Sequence, residues 1–462
     1  MQGQKKHKGA APGWPAFPSK PTLAGLLDGL TVSQWWSPEE LERAQQPQLA
    51  WLVKWASTEV PHYQESAWAR PASQALAEIL AQEPARFPEV WRTLPLLTKP
   101  ELRTQGKALH ARTVPGSEKP LKSILTSGST GIPVEVRSTS TTRELWDALT
   151  IREHLWSRRD FTKRMGAIRY INHKKRVAEG TVRSGWGAPV ALRYRSGPAS
   201  FMHIGNSIEA LADWLLRFDP SYLLTYPSIV EPLMDAVTAL GGRPPSLEEI
   251  RLMSEPLDPE VEARLRKEWQ VRSTDLYSAN EVGYIAFRCR EQGHLHIQSE
   301  AVLVEVLDEA GQPCATGETG RVVVTALHNL ATPLLRYELG DYATVGERCP
   351  CGRGLPVLGR VQGRVRNLVR TPDGRHYWPN QLMGIRSVAA IIQAQFVQTA
   401  LDTVEVRVVC SRPLSPAEVT EAVAKTRRSL GYPFEVLVVP VGVIPRGPTG
   451  KFEEFLSLLA SD

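Results

Sequence analysis

Residues Leu125–Val136 read LTSGSTGIPVEV. Thr126, Ser127, Gly128, Ser129, Thr130 and Gly131 sit between two apolar runs that read as strands. Glycines let backbone N–H groups converge and the hydroxyls add donors, so such a loop can wrap phosphate oxygens. Taken alone, the same composition also suits an ordinary polar hairpin turn. The sequence on either side decides between the two.

Upstream, from about Leu41 to Ala81, apolar residues recur at helical spacing, and Trp51 and Trp55, an i,i+4 pair, are expected in the core. Downstream of Pro100, short apolar runs broken by Gly, Pro and Ser alternate with helical stretches such as SIEALADWLLRF and SIVEPLMDAVTAL. That alternation predicts an α/β domain. From about residue 297, alternating apolar positions in HIQSEAVLVEVL, turn chemistry in DEAG and a second run in GRVVVTAL predict a hairpin within a β-rich subdomain reaching to about 362. GRVQGRVRNLVRTPDGRHYWP is rich in Gly and Arg, which places a domain boundary near Asn367. Beyond it VEVRVVC, SPAEVTEAVAKTRRSL and EVLVVPV form a strand–helix–strand pattern, so residues 367–462 read as a small α+β domain.

At 462 residues the chain is too long for one compact core and suits a large and a smaller domain. Lys and Arg exceed Asp and Glu by 55 to 49, a net charge of +6 compatible with phosphate-bearing ligands. The excess is not gathered into aromatic-interleaved stripes, so nucleic acid is not an expected partner. The basic start, MQGQKKHKGAAPGWPAFPSKP, is followed by no apolar stretch of signal or membrane-span length, from which a cytoplasmic protein with no membrane partner is expected.

Further motifs follow the Gly/Ser/Thr loop in a fixed order: YSANEVG (Tyr277–Gly283), RYELGD (Arg336–Asp341), GRVRN (Gly363–Asn367) and PRGPTGK (Pro445–Lys451). In this order the chain resembles the adenylate-forming superfamily of acyl-CoA synthetases and peptide-synthetase adenylation domains. LTYPSIV, SEPLDPE, ETGRVVVTAL and TPLLRYELGD narrow the resemblance to phenylacetate–CoA ligases and their coenzyme F390 synthetase- and capsule-protein-like relatives. It covers roughly Pro95 to the C-terminus, leaving residues 1–95 as a weakly matched helical leader region.

The resemblance implies an α/β fold with a large multi-subdomain N-terminal adenylate-forming domain, residues 1–366, and a small mobile α+β C-terminal domain, residues 367–462. It implies that Ser127, Gly128, Ser129, Thr130 and Gly131 hold the β- and γ-phosphates of ATP. Glu281 would bind the Mg²⁺ that offsets repulsion when a carboxylate attacks the α-phosphate. Tyr277 would stack near the adenine, with Ser278 beside it, and Asp341 would accept hydrogen bonds from both ribose hydroxyls. Arg364 corresponds to an arginine that contacts ribose or phosphates, and Lys451 would deliver a point charge to the α-phosphate as the acyl-adenylate forms. The hinge aspartate of the family stands here as Asn367.

Of the five cysteines, Cys289 is followed by His294 and His296, and CPCGRG brings Cys349 and Cys351. Three thiolates and an imidazole suit tetrahedral Zn²⁺ in a closed, structural site. His296 is expected as the ligand rather than His294, because LHI better matches a strand of the family that the chain resembles. The expected activity is ATP-dependent acid activation through acyl-AMP with pyrophosphate release, then transfer to the CoA thiol. The acid partner is expected to be aromatic, and a homodimer is allowed. The alternatives are an amine, a hydroxyl or a carrier protein as acyl acceptor, or a non-catalytic nucleotide-binding relative.

Overall fold

Helix Pro38–Glu59 starts where Ser37 and Glu40 satisfy one another: the Ser37 hydroxyl accepts the Glu40 N–H and the Glu40 carboxylate accepts the Ser37 N–H. This reciprocal cap occupies donors that the first turn leaves without partners. The helix turns Leu52, Val53 and Ala56 fully inward. Trp51 and Trp55 do stack, with ring centroids 5.6 Å apart, but both rings are only partly buried and flank the core instead of filling it. Trp55 keeps its indole N–H for the Leu330 carbonyl at 3.0 Å, which holds the ring at the rim.

The computed structural model describes residues 22–126, 134–170, 179–255, 257–364, 367–379, 382–447 and 450–459. They divide into two compact units. The first takes in the described residues of Met1–Lys163, Arg183–Ala199 and Thr274–Val361; the second those of Arg164–Val182, Ser200–Ser273 and Gln362–Asp462.

In the first unit, strands lie side by side in the order Val302–Leu307, Thr319–Ala326, Tyr337–Val345, 357–361, Leu295–Ile297, Gly283–Arg288 and 274–279. The predicted hairpin is present, with Val302 opposite Ala326 and Leu307 opposite Arg321. A separate two-stranded ribbon pairs Lys122–Thr126 with Val134–Ser138, so both strands expected around the Gly/Ser/Thr loop form. Helices Leu23–Ser33 and Ser140–Trp156 pack with the N-terminal helices on one shared core.

In the second unit, Met165–Arg169, Tyr222–Thr225 and Glu249–Met253 pair in parallel. Helices Ile208–Phe218 and Pro227–Ala239 cover them, burying Trp214, Leu215, Leu233 and Met234. The C-terminal residues form a second sheet in the order Glu435–Pro440, Thr403–Cys410, Ile391–Ala400, Phe455–Ser457. Helix Pro416–Leu430, capped by Ser415 and Glu418, closes its core with Ala422 and Leu430.

One buried ion pair ties the helices of the first unit together. Arg152 meets Glu300 at 3.0 Å with both side chains almost wholly excluded from solvent. Arg152 also donates to Leu30 O and Gln298 Oε1, and the Ser33 hydroxyl donates to Glu300 Oε1 at 2.6 Å. Removing one member strands a charge in the interior, so Glu300→Ala should destabilise the first unit by about 3–5 kcal/mol. Chemical denaturation followed by tryptophan fluorescence would read this, and a loss below 1 kcal/mol, the scale of a solvated surface pair, would reject it.

Candidate functional site

Strand Arg272–Ala279 pairs with Gly283–Arg288 and carries an irregularity between Tyr277 and Ser278. Such bulges re-aim side chains. Tyr277 Oη donates to Asp341 Oδ2 at 2.8 Å, joining two sequence motifs 64 positions apart. Asp341 follows Gly340, whose φ of +76° is a backbone angle that glycine adopts without strain. Glu281 lies in the turn that joins the two strands, half-buried rather than fully exposed, with Val282 N–H donating to Ala279 O at 3.2 Å. Gly283, at φ +107°, leaves room for Trp146, which a Cβ there would approach to 3.3 Å. The Trp146 ring stacks on Tyr284 at 4.2 Å, so this turn rests on helix Ser140–Trp156. Tyr277, Ser278, Glu281 and Asp341 thus share one unit. Ser127, Gly128, Ser129, Thr130 and Gly131 lie outside the described residues.

Lys451 and Arg364 belong to the second unit. The Arg364 carbonyl accepts the Trp378 indole N–H at 3.2 Å. The Lys451 carbonyl accepts Gly447 N–H at 2.8 Å. Beside it lies a group of residues that the motifs did not single out. Glu255 accepts from Ser228 N–H at 3.0 Å and from Phe452 N–H at 2.6 Å, and Arg446 donates to Ser228 Oγ and Gly450 O. Ser228 and Glu255 fall within LTYPSIV and SEPLDPE, so their segments were visible in the sequence although their roles were not.

The four residues expected to hold a metal converge. One ligand atom from each of Cys289, His296, Cys349 and Cys351 lies within 4.8 Å of the others. Cys289 Sγ and Cys349 Sγ are 3.8 Å apart, and Cys351 Sγ is 3.3 Å from His296 Nε2. His296 Nδ1 faces the Leu355 carbonyl at 3.2 Å, which fixes the proton on that nitrogen and turns Nε2 toward the sulfurs. Burial pushes the His296 ring down to about 4, so Nε2 carries a lone pair at neutral pH. Burial pushes the Cys289 thiol up to about 12 and raises Cys349 as well. Burial also opposes ionisation of Cys351, but hydrogen bonds from the Arg353 N–H, Cys349 and the Arg353 guanidinium outweigh it and bring that thiol below its ordinary value. His294 is not part of the group. It sits one residue before the Leu295–Ile297 strand, and its Nδ1 is buried without a hydrogen-bond partner among the described residues.

No family model matches the chain. It is similar to the phenylacetate-coenzyme A ligase of Thermus thermophilus, 28% identical over 285 residues, or 55% of this chain and 64% of that ligase. The chain therefore matches slightly less than two thirds of that relative's length. A phenylacetate-coenzyme A ligase from Pseudomonas putida is 24% identical over 400 residues, 83% of this chain and 84% of that one. Among solved structures, 2-hydroxyisobutyryl-CoA ligase with 2-HIB-AMP in the postadenylation state covers 91% of this chain and 90% of its own, with TM-score 0.67 at 20% identity. With 2-HIB-AMP and CoA in the thioesterification state the same ligase gives 0.55 at 21% identity, with the same coverage. The fold is that of the adenylate-forming CoA ligases, and phenylacetate–CoA ligases are homologues of this chain. Among the described residues no helix is long and apolar enough to cross a membrane.

The Asn367 departure has a structural counterpart. Asn367 Nδ2 donates to the Phe455 carbonyl, at the edge of the C-terminal sheet. A carboxylate has no proton to donate there at neutral pH. Asn367→Asp should therefore lose about 1–3 kcal/mol of stability, read by chemical denaturation at pH 7, while Asn367→Ser keeps a donor and loses less. Equal stability of Asn367→Asp and parent would remove this account of the asparagine.

Proposed function

We propose that this chain activates a carboxylic acid with ATP, forming acyl-AMP and pyrophosphate, and passes the acyl group to the thiol of CoA. The carboxylate attacks the α-phosphorus, the bond from the α-phosphorus to the α,β-bridging oxygen breaks, and pyrophosphate leaves; the CoA sulfur, losing its proton, then attacks the acyl carbon and AMP leaves. The observation that carries this reading is the Tyr277–Asp341 hydrogen bond, because it joins the two motifs that would read adenosine. Homology to phenylacetate-coenzyme A ligases supports an aromatic acid.

In this reading Asp341 accepts from the ribose hydroxyls while Tyr277 and Ser278 border the adenine. Glu281 would hold Mg²⁺, whose charge would offset the repulsion between the anions, Ser127–Gly131 would bind the β- and γ-phosphates, and Arg364 would bind ribose or phosphate. Residues 1–366 act as the nucleotide- and acid-binding domain and residues 367–462 as a mobile domain carrying Lys451. Lys451 stabilises the charge that develops on the α-phosphate.

ATP–pyrophosphate exchange over a panel of aromatic and aliphatic acids tests the chemistry. Lys451→Ala should slow exchange by roughly a hundredfold or more with ATP affinity nearly unchanged, the signature of a group that acts in the transition state. Parent-like exchange in that variant would take Lys451 out of the mechanism, and a parent inactive with every acid would count against acid activation. Added CoA should speed AMP release. Acceleration by an amine or carrier protein but not by CoA would replace the acceptor.

The same proposal gives the Cys₃His group a structural Zn²⁺. Two sulfurs each about 2.3 Å from one tetrahedral ion lie about 3.8 Å apart, and a sulfur and an imidazole nitrogen about 3.5 Å. The Cys289–Cys349 and Cys351–His296 separations, 3.8 and 3.3 Å, support that size. Four protein ligands leave no position for substrate, and binding displaces the thiol protons. Protein purified without added metal should hold one zinc per chain by elemental analysis. Ser at Cys349 and Cys351 should abolish zinc and lower Tm with activity per folded molecule retained. A metal-free parent would refute the site.

A further inference from the structure

Lys451 lies between two residues whose backbone groups are both tied to one partly buried ion pair. On one side, the Gly450 carbonyl accepts from Arg446 Nη1 at 3.1 Å. On the other, Phe452 N–H donates to Glu255 Oε1 at 2.6 Å. Arg446 and Glu255 approach each other to 3.7 Å, with side chains 20% and 7% exposed. The second carboxylate oxygen of Glu255 accepts Ser228 N–H at 3.0 Å, and Arg446 Nη1 also donates to Ser228 Oγ at 2.9 Å. Ser228 belongs to the first turn of helix Pro227–Ala239. That turn offers backbone donors without helical partners, and a carboxylate there also meets the positive end of the helix dipole.

Packing agrees with the bonding. Gly450, at φ +82°, sits so close to Tyr170 and Tyr226 that a Cβ would lie 3.1 Å from Tyr170 Cβ and from Tyr226 Oη. Arg446 also covers the Phe452 ring at 5.6 Å. Burial disfavours both charges, raising the Glu255 carboxyl and lowering Arg446. Their mutual attraction and the four hydrogen bonds offset that cost.

We infer that Glu255 and Arg446 are positioning residues for Lys451, clamping the main chain on either side of it to helix Pro227–Ala239. The inference rests on the reading of Lys451 as the lysine of adenylate formation. The clamp uses backbone groups at 450 and 452 and none of the lysine side chain's own reach, so it sets where the ammonium is delivered without spending its hydrogen bonds. Glu255 does both jobs with one carboxylate, because each oxygen serves a different segment.

The test uses the full chain and two independent readouts, with Glu255→Ala and Glu255→Gln. Glutamine keeps one acceptor oxygen and loses the charge, so it should fall between parent and alanine. Brief trypsin digestion followed by mass spectrometry measures cleavage of the Lys451–Phe452 bond, with Arg375–His376, at an exposed arginine, as the reference. Glu255→Ala should raise cleavage after Lys451 at least about tenfold relative to the reference, the factor expected for a lost charged hydrogen bond. In ATP–pyrophosphate exchange, kcat should fall about tenfold or more while KM for ATP stays near the parent value. Unchanged cleavage after Lys451 in a folded Glu255→Ala variant would overturn the clamp, and so would an equal rise at both bonds, which marks general loosening. Should Glu255→Ala fail to fold, Glu255→Gln carries the same comparison. A parent without exchange activity would sink the acid-activation reading alone, since proteolysis still decides whether Glu255 holds the chain at Phe452.

Discussion

A carboxylate taken out of water must find a donor for each oxygen, and two glutamates organise this protein on that condition. Glu300 in the first unit is fully buried and takes Arg152 and Ser33, which lie on two helices, so its charge is balanced only when both helices are in place. Glu255 in the second unit takes backbone donors from Ser228 and Phe452, separated in sequence from each other by more than the whole Gln362–Tyr432 stretch. In both cases a single anion makes the position of one segment conditional on another. A hydrophobic contact of similar area would hold such segments together with less regard to register.

The two glutamates also show where sequence reading stops. Glu255 lies in SEPLDPE, a segment whose likeness to one branch of ligases was plain, yet nothing local says that its carboxylate meets Phe452. The partner is 197 positions away, and the bond is to a backbone N–H, which leaves no residue-type signature. Tyr277 and Asp341 could be singled out through the ordered motifs that carry the resemblance, but the bond between them could not. The hairpin of Val302–Leu307 with Thr319–Ala326 was legible from period-two alternation, and helix Pro416–Leu430 from its place in the strand–helix–strand pattern. Trp51 and Trp55 misled, because i,i+4 spacing fixes that two rings are neighbours and does not fix which face of the helix they occupy.

The cysteine group was legible for another reason. Thiols and imidazoles are few in this chain, so their clustering in two segments stands out, and His296 lies inside the Leu295–Ile297 strand while His294 precedes it. In Leu295–Ile297 all three residues are buried, the strand pairs with a neighbour on each edge, and His296 is held by Leu355 O through Nδ1. The surroundings extend beyond the four residues. Arg353 lies over Trp156 at 4.3 Å and over Trp35 at 5.2 Å, and donates to Gln34 Oε1 at 3.0 Å. Gly354 N–H donates to Gln34 O at 3.0 Å, and a Cβ on Gly354 would strike the Trp36 carbonyl. The loop that supplies Cys349 and Cys351 is therefore also the seat of the chain just after helix Leu23–Ser33.

These attachments share a feature that bears on chemistry. The lysine proposed for adenylate formation, the aspartate proposed for ribose and the asparagine at 367 are each fixed through a neighbour: a backbone N–H at 452, a phenol at 277, a carbonyl at 455. A side chain that must address a substrate loses reach if it also supplies the bond that holds its own segment. At Lys451 the cited bonds belong to the adjacent residues 450 and 452, whereas Asp341 and Asn367 use their own side chains. These attachments also mean that substitutions beside the reactive residues, at 255, 277 and 446, act on the same free energy as substitutions of the reactive residues themselves, which is the condition under which their effects cease to add.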